Sequence, residues 1–91
     1  MDNNLDLKKF LWKKRLLLIR DNHKNYLQIK NFLKKEEDKI IINKIEYFFL
    51  NHNFSSDIVL IGLDGQTKYE SNIFDLKKIF DLISKMPLAN Y

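Results

Sequence analysis

Between Asp57 and Lys68 the chain reads DIVLIGLDGQTK, and that stretch leaves the backbone little choice. Ile58 to Ile61 is an unbroken apolar run of mostly β-branched residues, which fit a pleated strand better than a helix. A run apolar at both odd and even positions needs cover on both faces of its sheet. Asp64-Gly65 follows, and Asp-Gly between two strand-like runs is a strong two-residue hairpin signal, because a type I′ turn needs positive φ at both centres. Thr67–Ser71 is the returning strand. There Tyr69 is the apolar member, while Lys68 and Glu70 face the other way, the pattern of an edge strand blunted by charge. The chain must therefore build a β-sheet with at least one strand covered on both sides, and the remaining segments must supply that cover.

Leu16–Ile19, bounded by Arg15 and Arg20, is a second run of the same kind and predicts another central strand. Asp21 to Asn25 is a loop in which Asn22 or Asn25 can cap a helix. Tyr26, Leu27, Ile29, Phe32 and Leu33 then recur at helical spacing, with Lys30, Lys34 and Lys35 largely opposite them. Lys39–Ile42 reads as a further buried strand because β-branched residues lose rotamer freedom in helices. The competing reading runs one helix from Tyr26 to Leu50. Lys44–Leu50 is expected to be a short helix stopping at Asn51. Asp75 is a helix N-cap followed by Leu76, Ile79, Phe80 and Ile83 at i, i+3, i+4 and i+7, with Lys77 and Lys78 in reach of Asp81 and Pro87 just past the end. Residues 1–5 are polar and expected to be disordered; Leu7, Phe10, Leu11 and Trp12 form a short helical stripe, with Trp12 expected to plug the end of the core. The outcome is an α/β domain over residues 1–91: a four-stranded mixed sheet flanked by helices on both faces, its first two strands parallel and its hairpin antiparallel.

Composition excludes more than it indicates. The 91 residues contain no Cys, so disulfides, thiolate metal sites and thiol redox chemistry are excluded. No apolar run is long enough to cross a bilayer, and no apolar leader opens the chain. The expectation is a cytoplasmic protein without a membrane partner, the alternative being export after removal of a leader. Residues 1–45 carry 12 Lys and Arg against 6 acids, whereas residues 46–91 carry 4 against 6. A basic half can attract nucleic acid or other anions. Most of its cations are lysines in an Asn-rich chain, which favours a solvated surface over nucleic acid.

Several stretches together resemble one family. Trp12-Lys13-Lys14-Arg15-Leu16-Leu17-Leu18 resembles its opening W-K-x-R-x-L-L. Gln28 matches its helical Gln. Asp57–Lys68, with Gly62, Asp64, Gly65 and Lys68, resembles its F-x-V-x-L-I-G-K-D-G-x-x-K. Ile83–Leu88, with Met86 and Pro87, resembles its terminal I-D-x-M-P-M-R. The family is P-DUDES, a bacterial-type, thioredoxin-like (peroxiredoxin-like) domain of unknown function that also occurs within extracellular vertebrate proteins. This chain has Leu63 where the family has Lys, Ser84 where it has Asp, and Leu88-Ala89 where it has Met-Arg. The resemblance implies a thioredoxin-like fold without established chemistry. In thioredoxin-like enzymes the reactive Cys follows the first strand, the place of Asp21–Tyr26 here. Their cis-proline precedes the third strand, the place of Ser56-Asp57.

The expected function is accordingly a non-redox binding or interaction module with a protein partner, no cofactor and no metal; oligomeric state is not legible. The candidate binding loop is Asp21, Asn22, His23, Lys24 and Tyr26, at the C-terminal edge of a strand where α/β ligands sit. Two alternatives remain. Asp21, His23 and Lys24 can form a small acid–base site, against a capping role for the same loop. Lys13-Lys14-Arg15 with Trp12 can form a basic–aromatic nucleic-acid patch, against a strand entrance that scatters those charges. Gly62 and Gly65 match no phosphate-loop spacing and are read as turn residues. His23 and His52 are too few and too far apart for a zinc site. Tyr47, Phe48 and Phe49 serve the core or, if one face cannot bury them all, a contact surface.

Overall fold

The computed structural model describes residues 7–85. A 3₁₀ turn, Leu7–Phe10, leads into β1 (Arg15–Arg20). The α1 helix (Tyr26–Lys35) and α2 helix (Glu37–Ile42) follow, then β2 (Ile45–Leu50), β3 (Ile58–Ile61), β4 (Thr67–Ser71) and α3 (Leu76–Ser84). One four-stranded mixed sheet has the order β2-β1-β3-β4. β1 pairs parallel to β2 and antiparallel to β3, and β3 pairs antiparallel to β4. The two runs apolar on both faces are the two interior strands, as their pattern requires.

The faces differ in cover. Leu17 and Ile19 of β1, Ile58 and Leu60 of β3, and the partly buried Tyr47, Phe49 and Tyr69 pack under α1, α2 and α3 through Ile29, Leu33, Ile40, Leu76, Ile79 and Ile83. On the other face Leu16, Leu18, Val59 and Ile61 pack with Phe48, Leu50, Phe10 and Phe54. The three α-helices thus share one face; among the described residues, the other is closed by the 3₁₀ turn and the β2–β3 connection rather than by an α-helix.

Residues 36–50 reverse the expectation. Lys39–Ile42 is helical and Ile45–Leu50 is a strand. Glu37 and Asp38 occupy the first turn of α2, where the helix dipole favours acids. Only Ile40 of the triple Ile is buried; Ile41 and Ile42 are 60% and 77% exposed. Lys44 ends the helix in left-handed geometry (φ 56°). Aromatic, alternating IEYFFL then turns Tyr47 and Phe49 toward the helices and Phe48 and Leu50 away. The long helix to Leu50 fails for the same reason: β1 needs a parallel neighbour, and this is the segment the crossover delivers.

Three smaller corrections concern the ends and the hairpin. Trp12 does not plug the core: it is 61% exposed, with φ 62°. The hairpin is not a two-residue type I′ turn. The Gly65 amide bonds to the Gly62 carbonyl and the Gly62 amide to the Gln66 carbonyl. Gly65 alone among the turn residues has positive φ (83°), so the turn is the longer form with a glycine bulge. Asp81 pairs with Lys85 at 3.1 Å and with neither Lys77 nor Lys78 among the described contacts. Asp75 caps α3, its carboxylate accepting from the Lys78 amide at 3.1 Å. Residues 1–5 and the Met86-Pro87 pair lie outside the described residues.

Candidate functional site

The C-terminal end of β1 meets three connections: the loop into α1, the β2–β3 segment and the β4–α3 segment. β1 delivers Arg20 there. Its Nε donates to the Asp57 carboxylate at 2.8 Å. Its Nη1 donates to the His52 carbonyl at 3.0 Å, and its Nη2 to the carbonyls of Phe54 (2.7 Å) and Ser56 (3.2 Å). One planar guanidinium thus gathers the whole β2–β3 connection, a task suited to a rigid fork of donors.

His23 is buried beside this cluster. Its Nδ1 accepts the Asn25 amide at 3.0 Å, so the ring is the tautomer protonated on Nε2, which donates to the Asn72 carbonyl at 3.1 Å. Both ring nitrogens are engaged, and the nearest carboxylate oxygen, on Asp57, is 4.0 Å away. Asp57 is itself tied to Asn72, whose side-chain oxygen accepts the Asp57 amide at 3.0 Å. The buried His52 donates from Nε2 to the Asp57 carbonyl, leaving a buried Nδ1 without a hydrogen-bond partner among the described residues. Among the described residues no three His, Cys, Asp or Glu side chains converge to hold a metal ion.

The loop residues separate accordingly. Asp21, Asn22 and Lys24 are exposed while His23 points inward, and Tyr26 lies edge-on to Phe49 with ring centroids 4.9 Å apart. Asn25, the N-cap residue of α1, makes no side-chain capping bond. It instead lines an open groove of about 440 Å³ between α1 and α3, with Gln28, Ile29, Phe32, Ile73, Phe74, Asp75, Leu76 and Lys77. Phe32 and Phe74 meet edge-to-face at 6.2 Å in its wall, and Ile73 on its rim is 74% exposed. A second hollow of about 330 Å³ shares Phe32, Leu76 and Lys77 and continues past Glu36, Lys39 and Phe80. Compared with known proteins, the chain matches no family model, no curated protein and no solved structure.

At the opposite end of β1, Lys13 is exposed, Lys14 half-buried and Arg15 buried, so this basic triplet is not one surface. Arg15 Nη1 donates to the Asn43 carbonyl at the end of α2 at 2.7 Å, and among the described residues its Nε has no hydrogen-bond partner. Burial pushes the guanidinium below its ordinary pKa. In the turn, Lys68 pairs with Asp64 at 3.0 Å, and this hydrogen bond holds the Asp64 carboxyl below its usual range. Gly62 lies under that pair: a Cβ there would fall 2.6 Å from Lys68 Cε.

Sequence reasoning named Arg20 only as the border of a strand and missed its role, because its four acceptors lie 32 to 37 residues away. The groove was missed for the same reason; Phe32 and Ile73 come together only through the fold. Among the described residues no helix is long and apolar enough to cross a membrane.

Proposed function

We propose that the chain is a thioredoxin-like domain related to P-DUDES, working as a binding module for a protein partner rather than as a redox enzyme. The strand order β2-β1-β3-β4, with β3 antiparallel to its neighbours, supports the fold reading. So does the antiparallel register of β1 with β3, which sets the end of β1 beside Asp57, the residue just ahead of β3. The absence of Cys removes the nucleophile such enzymes use.

The observation that carries the function is the groove between α1 and α3 next to the Asp21–Tyr26 loop: apolar Phe32, Ile73 and Phe74, with Asn25, Gln28 and Lys77 at its margins. A few polar groups around an apolar floor suit a protein segment that inserts one apolar side chain. Selection of random displayed peptides against the folded chain tests this. Selected peptides should bind Ile73→Glu about tenfold more weakly or worse, since a carboxylate would enter the apolar seat. Undiminished binding to that variant and to an Asp21–Lys24 loop exchange removes both surfaces from the reading.

A second reading is favoured by the exposed Lys9 and Lys13 in the basic N-terminal half of the chain. Lysines suit single-stranded nucleic acid, which they hold through its phosphates. Affinity for a generic single-stranded oligonucleotide should then fall steeply between about 50 and 200 mM salt. No binding at low salt eliminates this reading.

A further inference from the structure

We infer that β2 is a self-association edge, at which a second copy of the chain adds its own β2 antiparallel to extend the sheet. In the parallel pairing with β1, the Arg15 amide bonds to the Lys44 carbonyl and the Asp21 amide to the Leu50 carbonyl. The register runs from Arg15 opposite Ile45 to Arg20 opposite Leu50. Bonds in a parallel ladder are evenly spaced on alternate residues. The even-numbered residues of β2 therefore face β1, and the backbone groups of Ile45, Tyr47 and Phe49 point to the outer edge. No strand among the described residues takes them.

The two edges of the sheet are unlike. β4 carries Lys68 and Glu70 and is the blunted kind. β2 is IEYFFL, with one charge, no proline and no bulge in its pairing. The two residues that close α2 just before it, Ile41 and Ile42, are the exposed isoleucines of that helix. A long apolar edge flanked by exposed isoleucines is a template for strand addition.

The strand's own sequence identifies the occupant. Antiparallel pairing of two copies about a twofold axis at Tyr47 sets Tyr47 opposite Tyr47 and Ile45 opposite Phe49. All three outward-facing residues of each copy then become hydrogen-bonded pairs. The one charged residue of the strand, Glu46, falls opposite Phe48 and not opposite its own copy. Aromatic and β-branched pairs across strands are the favourable ones.

Because the chain has no Cys, a single introduced thiol reports the geometry. Directly paired residues have Cα atoms about 5.5 Å apart, within disulfide range. Tyr47→Cys should oxidise to a covalent dimer, while Glu70→Cys on the opposite edge stays monomeric. The unmodified chain should rise from monomer to dimer mass in sedimentation as its concentration approaches about 1 mM. Ile42→Lys, a change at an exposed site, should weaken that dimer about tenfold without loss of circular dichroism signal. A chain that stays monomeric at about 1 mM, or equal cross-linking at residues 47 and 70, overturns the inference. So does an undiminished dimer in Ile42→Lys, whatever Tyr47→Cys does to folding.

Discussion

Arg20 and Asp57 meet at 2.8 Å, joining the end of β1 to the residue before β3 across 37 positions of sequence. The same guanidinium holds three carbonyls of the β2–β3 connection. That connection has no regular structure of its own, so its backbone acceptors need a donor from elsewhere.

Arg20→Ala should cost about 2–3 kcal/mol in urea unfolding, because three carbonyls lose a charged donor. Asp57→Asn should cost only about 1 kcal/mol, since it touches one of the four bonds and the pair is partly solvated. Arg20→Lys should fall close to Arg20→Ala, because an ammonium cannot serve four acceptors spread around a fork. Equal costs for the Ala and Asn variants would mean that the ion pair, not the carbonyl contacts, holds the connection.

His23 should appear in long-range 15N–1H spectra as the tautomer protonated on Nε2, because Nδ1 is occupied by the Asn25 amide. His23→Ala should cost about 1–3 kcal/mol, the expected loss when buried polar partners are left unpaired. An Nδ1–H signal would contradict the arrangement.

Gly65→Ala should destabilise by about 1–2 kcal/mol, because Gly65 has φ 83° and a side chain there is strained. The added Cβ would also lie 2.8 Å from Leu11 Cδ2. Gly62→Ala should cost less, because its main obstacle is the flexible end of Lys68, which can swing away at the expense of the Asp64 contact. Equal unfolding midpoints for the two variants would refute this ranking.

The Asp64 carboxyl should titrate below an ordinary aspartate in carboxyl-detected NMR, chiefly because Lys68 hydrogen-bonds to it. With the folded value depressed, the contribution to stability is present above the unfolded value of about 3.9 and is lost as pH falls through the folded one. Lys68→Met should move the titration back up toward the ordinary value. An unchanged titration would assign the shift to the turn backbone instead.

The legible parts of the fold were those whose cause is local. Ile58–Ile61 and Leu16–Ile19 announce interior strands because both of their faces are apolar. Asp75 with Leu76, Ile79 and Ile83 announces a capped helix because cap and stripe lie within nine residues. The candidate loop was placed correctly at the end of β1, but its residues could not be sorted. His23 turns inward because its acceptor, the Asn72 carbonyl, lies 49 positions away.

Residues 36–50 show where local pattern gives out. KIII and IEYFFL each suit a strand by propensity, and only one place in the sheet was open. The sequence by itself determined that a buried β-sheet forms, which runs lie at its centre, where its last helix begins, and that no thiol chemistry is possible. The tertiary structure alone decided which apolar run became β2, that the helices share one face, that Arg20 organises the β2–β3 connection, and that Phe32 and Ile73 border one groove. The physical reason is range: hydrogen-bond competition and apolar periodicity act within a few residues, whereas pairing partners and buried acceptors are chosen across the whole chain.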